Sequence, residues 1–220
     1  MKWKPEDLFC LLTLHPERKD FSPDLLILAG NQLRKLFPQT SVFTMEDHIV
    51  MVCDQEKNAM ENLFAVLREY LLVNHFAAGI SLPFRRLEKL RYYHQQALAA
   101  VSYGQRENRK SSVCDFYDYA LSYIIEISDQ EVLICACHPD ILALAEEDSK
   151  NHGDRLNTLC TYLNMERSLL NTAKALYIHR NTLVYRITKI IDSLHYDIED
   201  VYCRDYMKMT FRILKLFSRL

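Results

Sequence analysis

Apolar positions in the first half of the chain form short continuous runs and stretches of helical spacing. The run 8–14 predicts a buried strand, and Ser22-Pro23-Asp24 predicts the capped start of a helix that ends near Phe37. The β-rich segments 41–45 and 48–53 predict a hairpin. The remaining predicted elements are a helix over 57–74, a strand over 75–80, a helix over 82–102 and a strand over 113–117. This order predicts an α+β domain, with one layer of sheet and helices packed on it.

Beyond Tyr119 the apolar spacing is helical throughout. The predicted helices cover 119–127, 130–137, 140–146, 154–163, 168–176, 180–194 and 204–220. The polar stretch 146–153 predicts a domain boundary. We therefore expect an α+β domain at 1–118, a helical connector at 119–150 and an all-α domain at 151–220.

The segment 173–191 predicts two short helices that meet at a sharp turn. Ala173 is small where two helix backbones come close, and Leu176 and Ile178 are apolar around the turn. Behind the turn, apolar residues recur at helical spacing: Leu183, Ile187, Ile190, Ile191 and Leu194. One face of the second helix is therefore predicted to pack against partner helices.

The other face of the second helix is cationic and hydrogen-bonding. It comprises Arg180, Asn181, Val184, Tyr185, Thr188 and Lys189. The segment 154–192 has six basic and three acidic residues, a net charge of +3, whereas the whole chain carries −2. A helix-turn-helix presents such a face to the major groove of DNA. A solvated surface helix is the alternative, and the spacing around the turn favours DNA binding.

Individual roles follow from position along the second helix. We predict base contacts for Arg180, which suits guanine, for Asn181, which suits adenine, and for Val184 and Tyr185, which suit thymine methyls or the groove wall. For Tyr185, a buried place in the core of the motif is an equal alternative. Contacts with phosphates or within the turn are predicted for Thr172, Lys174, His179, Thr182, Arg186 and Lys189, of which His179 and Thr182 brace the two helices.

Composition narrows the class of protein. The chain is 49% hydrophobic, with only 4 glycines and 6 prolines, which argues against flexible linkers and β-sandwich turns. No apolar run is long enough to span a bilayer, and Glu6-Asp7 interrupts any signal-peptide core. We expect a cytoplasmic protein without a membrane partner.

The seven cysteines are odd in number and scattered, which is typical of reduced, buried thiols. Cys135-Ala136-Cys137-His138 suggests a metal site, but His152 and Cys160 do not form a second ligand pair at a matching distance. We predict no metal, no cofactor and no catalytic residue. Redox sensing by the cluster 135–138 is the alternative to core packing.

Two segments resemble a known family. The sequence of 179–186, His-Arg-Asn-Thr-Leu-Val-Tyr-Arg, resembles the C-terminal helix-turn-helix signature of the PucR/CdaR family of bacterial transcription regulators, and its turn is similar to the Fis-type motif. The segment 79–84, followed by Leu87, Leu90, Tyr92-Tyr93 and Gln96-Ala97, is similar to the degenerate GGDEF-like domain of that family. The resemblance implies a ferredoxin-like or GGDEF-like α+β domain followed by an all-α helix-turn-helix domain.

The chain also departs from the family's pattern. Active diguanylate cyclases have Gly-Gly-(Asp/Glu)-Glu-Phe at the hairpin, where this chain has Thr44-Met45-Glu46-Asp47-His48, so we predict that it is not an enzyme. Family members usually have an N-terminal sensory domain for a metabolite, so either this chain is truncated or its signal arrives another way. Leu170 replaces a small polar cap, and Ser168 is predicted to cap one turn earlier.

The resemblance implies a sequence-specific DNA-binding transcriptional regulator of a metabolic, catabolic operon. Its expected partners are double-stranded DNA, contacted by 180–194, a second copy in a homodimer, and a small-molecule effector acting through a missing or separate sensory domain. The alternative function is a nucleotide-binding, cyclase-like protein with a helical tail. A stripe on the last helix predicts either a dimer interface or packing on the motif: Tyr206, Met209, Ile213, Phe217 and Leu220.

Overall fold

The computed structural model describes residues 7–18, 21–56, 60–109 and 112–217. The chain divides into two compact units, Met1–Tyr123 and Ile124–Leu220. The first unit combines a sheet with helices, and the second is all α. The predicted fold class is therefore confirmed.

Within the described residues, the strands of the first unit form one mixed sheet. They are β1 (Phe9–Pro16), β2 (Ser41–Thr44), β3 (Ile49–Asp54), β4 (Phe76–Ile80) and β5 (Val113–Asp115), in the order β2-β3-β1-β4-β5. The central strand β1 runs antiparallel to β3 and β4, and β5 runs parallel to β4. The predicted hairpin is confirmed, because β2 pairs antiparallel with β3.

Helices cover both faces of this sheet. They are α1 (Pro23–Leu36), α2 (Met60–Asn74), α3 (Leu90–Arg106) and α4 (Phe116–Glu126), with a 3₁₀ turn at Leu87–Lys89. Leu33 of α1 and Leu67 of α2 pack on one face, whereas Ala97 of α3 packs on the other. Because both faces are covered, all residues of β3 and β4 are buried.

Most predicted elements of this unit are confirmed, including the cap of α1, where the Ser22 hydroxyl accepts from the Leu25 N–H at 3.3 Å. The predicted helix over 82–102 is wrong at its start. Phe84 instead pairs with Phe9, with N–H to carbonyl distances of 2.7 and 2.8 Å, so the chain stays extended beyond Pro83. The strand over 113–117 is shorter than predicted, because α4 begins at Phe116. The predicted start of α2 at 57 lies outside the described residues.

The helix α3 lies close against β4 at Gly79. A Cβ atom placed on Gly79 would lie 2.1 Å from the Ala97 carbonyl oxygen and 2.8 Å from the Val101 amide nitrogen. Both atoms belong to the backbone of α3, so neither can rotate away. The glycine therefore sets the distance between helix and sheet.

The second unit is a helical domain. Its helices are α5 (Gln130–Cys135), α6 (Pro139–Asn151), α7 (Arg155–Asn164), α8 (Leu169–Ala175), α9 (Arg180–Ser193) and α10 (Val201–Leu216). The apolar faces of α6 to α10 meet in one core, which includes Ile141, Leu159, Leu183, Met207 and Phe211, whereas Leu133 of α5 packs in a separate cluster with Ile125, Cys137 and Ile213. This core places α8 and α9 on a rigid support.

The polar stretch 146–153 lies at the end of α6 and in the turn that follows it. Helix α6 continues to Asn151, and its residues Ile141 and Leu144 pack in the same core as Leu156 and Leu159 of α7. The three-part division at 118 and 150 stays a prediction.

The last helix packs mainly through Met207, Phe211 and Leu214, which join the core of the helical domain. Of the predicted stripe, Ile213 is buried, whereas Met209 is 39% exposed. Ile213 and Phe217 pack with Ile125 and Cys137, and Leu220 lies outside the described residues. Packing thus accounts for part of the stripe, and a homodimer interface stays a prediction.

All seven cysteines are free thiols, and all except Cys135 and Cys160 are buried. In the cluster 135–138, the Cys137 thiol donates to the Leu133 carbonyl, and the His138 ring accepts from the Asp140 N–H. These side chains therefore serve the local helices. Among the described residues, no helix combines the length and the apolar character needed to cross a bilayer.

Candidate nucleic-acid interface

The first helix of the motif, α8, begins at a serine cap. The Ser168 hydroxyl accepts from the Asn171 N–H at 3.3 Å, so the predicted cap one turn before Leu170 is confirmed. The helix ends in a left-handed turn at Tyr177, whose φ is 53°. There the Ile178 N–H donates to the Ala173 carbonyl at 3.1 Å, as in a Schellman motif.

The second helix, α9, begins at a histidine cap. His179 has extended backbone angles, and its Nδ1 accepts from the Asn181 N–H at 3.2 Å. This bond satisfies one of the free amide groups at the helix start. His179 therefore caps the helix that follows it.

The inward face of the motif matches its predicted apolar positions. Leu183, Ile187 and Ile190 are buried, and they pack with Ala173 of α8. This packing fixes the rotation of α9 about its axis. The opposite face, which begins with Arg180, Asn181 and Thr182, is exposed.

The residues predicted to contact bases all lie on the exposed face. Val184 is 38% exposed and Tyr185 is 66% exposed. The alternative that places Tyr185 in the core of the motif is therefore wrong. The Lys189 ammonium lies 5.9 Å from the centre of the Tyr185 ring, on the same side of α9.

Thr172 differs from the other predicted contact residues. Its side chain is fully buried, and its hydroxyl donates to the Ser168 carbonyl at 2.8 Å. A phosphate cannot reach this hydroxyl, so Thr172 belongs to the packing of the turn. Lys174, in the last turn of α8, is exposed.

The cations of the segment 154–192 fall into two groups. Three arginines of the segment 154–192 pair with carboxylates: Arg155 with Glu147, Arg167 with Glu199, and Arg186 with Asp154, the last with 3.7 Å between nitrogen and oxygen. In the part of the chain that the structure describes, Lys174, Arg180 and Lys189 form no ion pair. These three unpaired cations lie on the two helices of the motif and are free to meet an anionic surface.

Two contacts near the motif have no signal in the sequence. Asp154 lies beside Arg186, although 32 residues separate them in the chain. The Asp140 carboxylate, buried in α6, accepts from the His195 N–H at 2.9 Å, the His195 Nδ1 at 2.8 Å and the Tyr196 N–H at 3.2 Å. The chain that leaves α9 is thereby anchored to α6.

Replacing Tyr177 with Gly should stabilise the helical domain by about 0.5–1 kcal/mol. A residue with a Cβ is strained by about 1–2 kcal/mol in the left-handed region. Glycine removes this strain, but part of the gain in stability is lost because glycine raises the conformational entropy of the unfolded chain. The Tyr177 side chain is 97% exposed, so its removal loses little packing. The midpoint of urea unfolding measures the change.

Tyr177→Ala is the matched control, because it removes the same ring and keeps the Cβ. It should change the free energy of unfolding by less than about 0.5 kcal/mol. If Ala and Gly stabilise equally, the ring rather than the backbone is the source of strain.

The two compact units match different known domains. Residues 156–204, which run from α7 into α10, match the PucR C-terminal helix-turn-helix domain. Residues 1–103 match the GGDEF-like domain. Both segments that resembled known sequences thus fall within matching domains.

Two curated relatives come from Bacillus subtilis. The proline-responsive transcriptional activator PutR is 24% identical over 188 residues, which cover 79% of this chain and 45% of the relative. The purine catabolism regulatory protein is 33% identical over 76 residues, which cover 34% of this chain and 14% of the relative. The chain therefore matches less than half the length of either protein.

Among solved structures, this chain is similar to a regulator of polyketide synthase expression from Bifidobacterium adolescentis. The alignment covers 96% of this chain and 86% of the chain of that regulator. The two chains are 14% identical, with a TM-score of 0.36.

Proposed function

Because this chain belongs to the PucR/CdaR family of transcription regulators, we propose that it is a sequence-specific regulator that reads the DNA major groove with α9. Arg180 and Asn181 are the first two residues of α9 and lie on its exposed face. We assign Arg180 to a guanine and Asn181 to an adenine. Val184 and Tyr185 are assigned to thymine methyls or the groove wall. Lys174, Arg186 and Lys189 are assigned to phosphates, and Thr182 is assigned to the DNA backbone next to the turn of the motif.

One observation carries this proposal. The apolar face of α9 is buried against its own domain, while Arg180 and Lys189 on the opposite face lack carboxylate partners among the described residues. A cation that only solubilises a surface is commonly near acidic side chains. Unpaired cations on a rigid helix suit the phosphates and base edges of a groove.

The first test is binding to DNA by fluorescence anisotropy. A duplex from the region immediately upstream of the protein's own gene should bind tightly, and a scrambled duplex should bind weakly. Binding to both should weaken by about tenfold or more between about 50 and 200 mM salt, because phosphate contacts release counterions. Failure to bind any duplex at low salt would refute the proposal.

We further propose that the regulator acts as a homodimer, in the cytoplasm, on a catabolic operon. The names of its relatives, which refer to proline and to purine catabolism, support a metabolic target and a small-molecule effector. A single helix-turn-helix reads few base pairs, so two copies are expected on half-sites about one DNA turn apart. Light scattering of the protein on inverted and on single half-sites should give a two-to-one ratio of bound chains.

We propose that this chain has no enzymatic activity. The β2–β3 hairpin closes through the Met45 N–H and the His48 carbonyl, 2.8 Å apart, and none of its residues is glycine. A nucleotide phosphate therefore lacks the glycine backbone on which a cyclase holds it. GTP with magnesium should produce no thermal shift, and a clear shift would favour the cyclase-like alternative.

Replacing Asp154 with Asn should strengthen DNA binding about 2- to 5-fold at low salt. The change removes the carboxylate beside Arg186 and frees that arginine for a phosphate, a gain of less than about 1 kcal/mol. The salt dependence should also steepen, by about one unit of slope at most. Anisotropy titrations at several salt concentrations measure both quantities.

Glu147→Gln serves as the matched control. It removes the same charge from the same domain, but its partner Arg155 lies at the start of α7 rather than on the motif. The control should therefore change DNA affinity less than Asp154→Asn. Equal gains would mean that net charge, and not the release of Arg186, is responsible.

A further inference from the structure

Three histidines and an aspartate meet at one end of the sheet in the first unit. His15 lies on β1, Asp47 and His48 lie at the β2–β3 hairpin, and His94 lies on α3. His48 Nδ1 is 2.6 Å from an Asp47 carboxylate oxygen, and His48 Nε2 is 2.9 Å from His94 Nε2. The rings of His15 and His48 stack with their centres 4.8 Å apart.

Within this cluster, His15 has an orphaned polar atom. Its Nε2 is buried and has no hydrogen-bond partner in the part of the chain that the structure describes. Leaving a buried polar atom unpaired costs about 1–3 kcal/mol. Core packing does not require an imidazole at this position, since an apolar side chain would avoid that cost.

We propose that His15, Asp47 and His48 bind a divalent transition-metal ion of the Zn²⁺ class, with His94 as the residue that positions His48. One ligand atom from each of these three residues lies within 4.8 Å of the others. Ligands of a tetrahedral zinc lie about 3.3 Å apart, so donors that are 4.8 Å apart must approach by roughly 1.5 Å. His48 Nδ1 and the Asp47 oxygen, which are 2.6 Å apart, must instead separate by roughly 0.7 Å to admit the ion. Rotation of the His15 ring about its soft χ2 torsion turns its edge toward the shared ion.

An ion has a route to this cluster. His15 and Asp47 line a cavity of about 590 Å³, through which an ion and a water ligand can enter.

The donor set selects the class of metal. Imidazole nitrogens suit Zn²⁺ and its transition-metal neighbours, whereas Mg²⁺ and Ca²⁺ prefer oxygen ligands throughout. The ring nitrogen of His48 that faces His94 lies at hydrogen-bond distance, as expected for a partner that orients a metal-bound histidine. His94 thus supports the site from a neighbouring helix.

This proposal departs from the prediction that the chain binds no metal. That prediction considered only the cluster 135–138, because His48 and His94 are 46 residues apart and share no local motif. The proposed site lies in the first unit and involves none of the residues assigned to DNA. Its failure would leave the proposed regulator function unchanged.

The test is calorimetric titration of the chelator-treated full chain with Zn²⁺. Asp47→Asn is the decisive variant, because this side chain is 81% exposed and its change should not affect folding. Affinity should fall by about 100-fold in Asp47→Asn and by about tenfold in His94→Gln. His75→Asn, which removes an exposed histidine at a φ of 55° that Asn tolerates, should bind like the wild type.

Cobalt distinguishes this site from the cysteines. Co²⁺ at His and Asp ligands should give a visible spectrum without a charge-transfer band from thiolate. Equal Zn²⁺ affinity in wild type and Asp47→Asn, or a thiolate band with Co²⁺, would overturn the proposal. Binding of Mg²⁺ as tight as that of Zn²⁺ would overturn the assigned metal class.

Discussion

Replacing Arg180 with Ala is expected to weaken binding to cognate DNA by about 1–3 kcal/mol, which is about 5- to 150-fold. Binding to scrambled DNA should change little. Arg180 is the first residue of α9, its side chain is exposed, and it forms no ion pair within the described residues. The substitution should therefore remove the proposed bidentate contact to one guanine without disturbing the fold.

Competition anisotropy with cognate and scrambled duplexes measures this effect. Lys189→Ala is the matched control, because Lys189 is an exposed cation of the same helix assigned to a phosphate. It should weaken binding to both duplexes equally and lower the salt slope by about one. If Arg180→Ala also weakens both duplexes equally, Arg180 only positions the protein on the backbone.

Replacing Gly79 with Ala is expected to destabilise the first unit by about 3 kcal/mol. The added Cβ would lie 2.1 Å from the Ala97 carbonyl oxygen, so α3 must move away from β4 along its length. Such a shift also opens the packing of Phe84 and Phe9 beneath α3. Thermal unfolding followed by circular dichroism should show a lower midpoint for this unit.

Ala78→Gly is the matched control for this substitution. It changes the neighbouring strand residue by the same methyl group in the opposite direction and should cost about 1–2 kcal/mol. A smaller loss in Gly79→Ala than in Ala78→Gly would show that α3 is free to shift. The close approach would then be unimportant for stability.

Features set by neighbouring residues could be predicted from the sequence. Ser22 and Ser168 cap the helices that follow them, because a cap needs only a hydroxyl and the next three amides. The buried side of α9 followed from the spacing of Leu183, Ile187 and Ile190. The candidate DNA-binding face is simply the remainder of that helix.

Features set by distant residues could not be predicted. The late start of α3 results from the pairing of Phe84 with Phe9, which lies on another element. The exposure of Tyr185 depends on a rotation of α9 that periodicity gives only to within tens of degrees. Contacts across the sheet, such as that between His48 and His94, arise only when the chain is folded.

The anchor at Asp140 matters for anyone who exchanges specificity between such regulators. This carboxylate holds the chain that leaves α9, yet it lies 55 residues before His195 and outside the matched domain, residues 156–204. A chimera that begins at residue 156 would lack Asp140, so the end of the transplanted α9 would lose its hydrogen bonds and could tilt. A chimera joined before Pro139 keeps it and should transfer promoter choice intact.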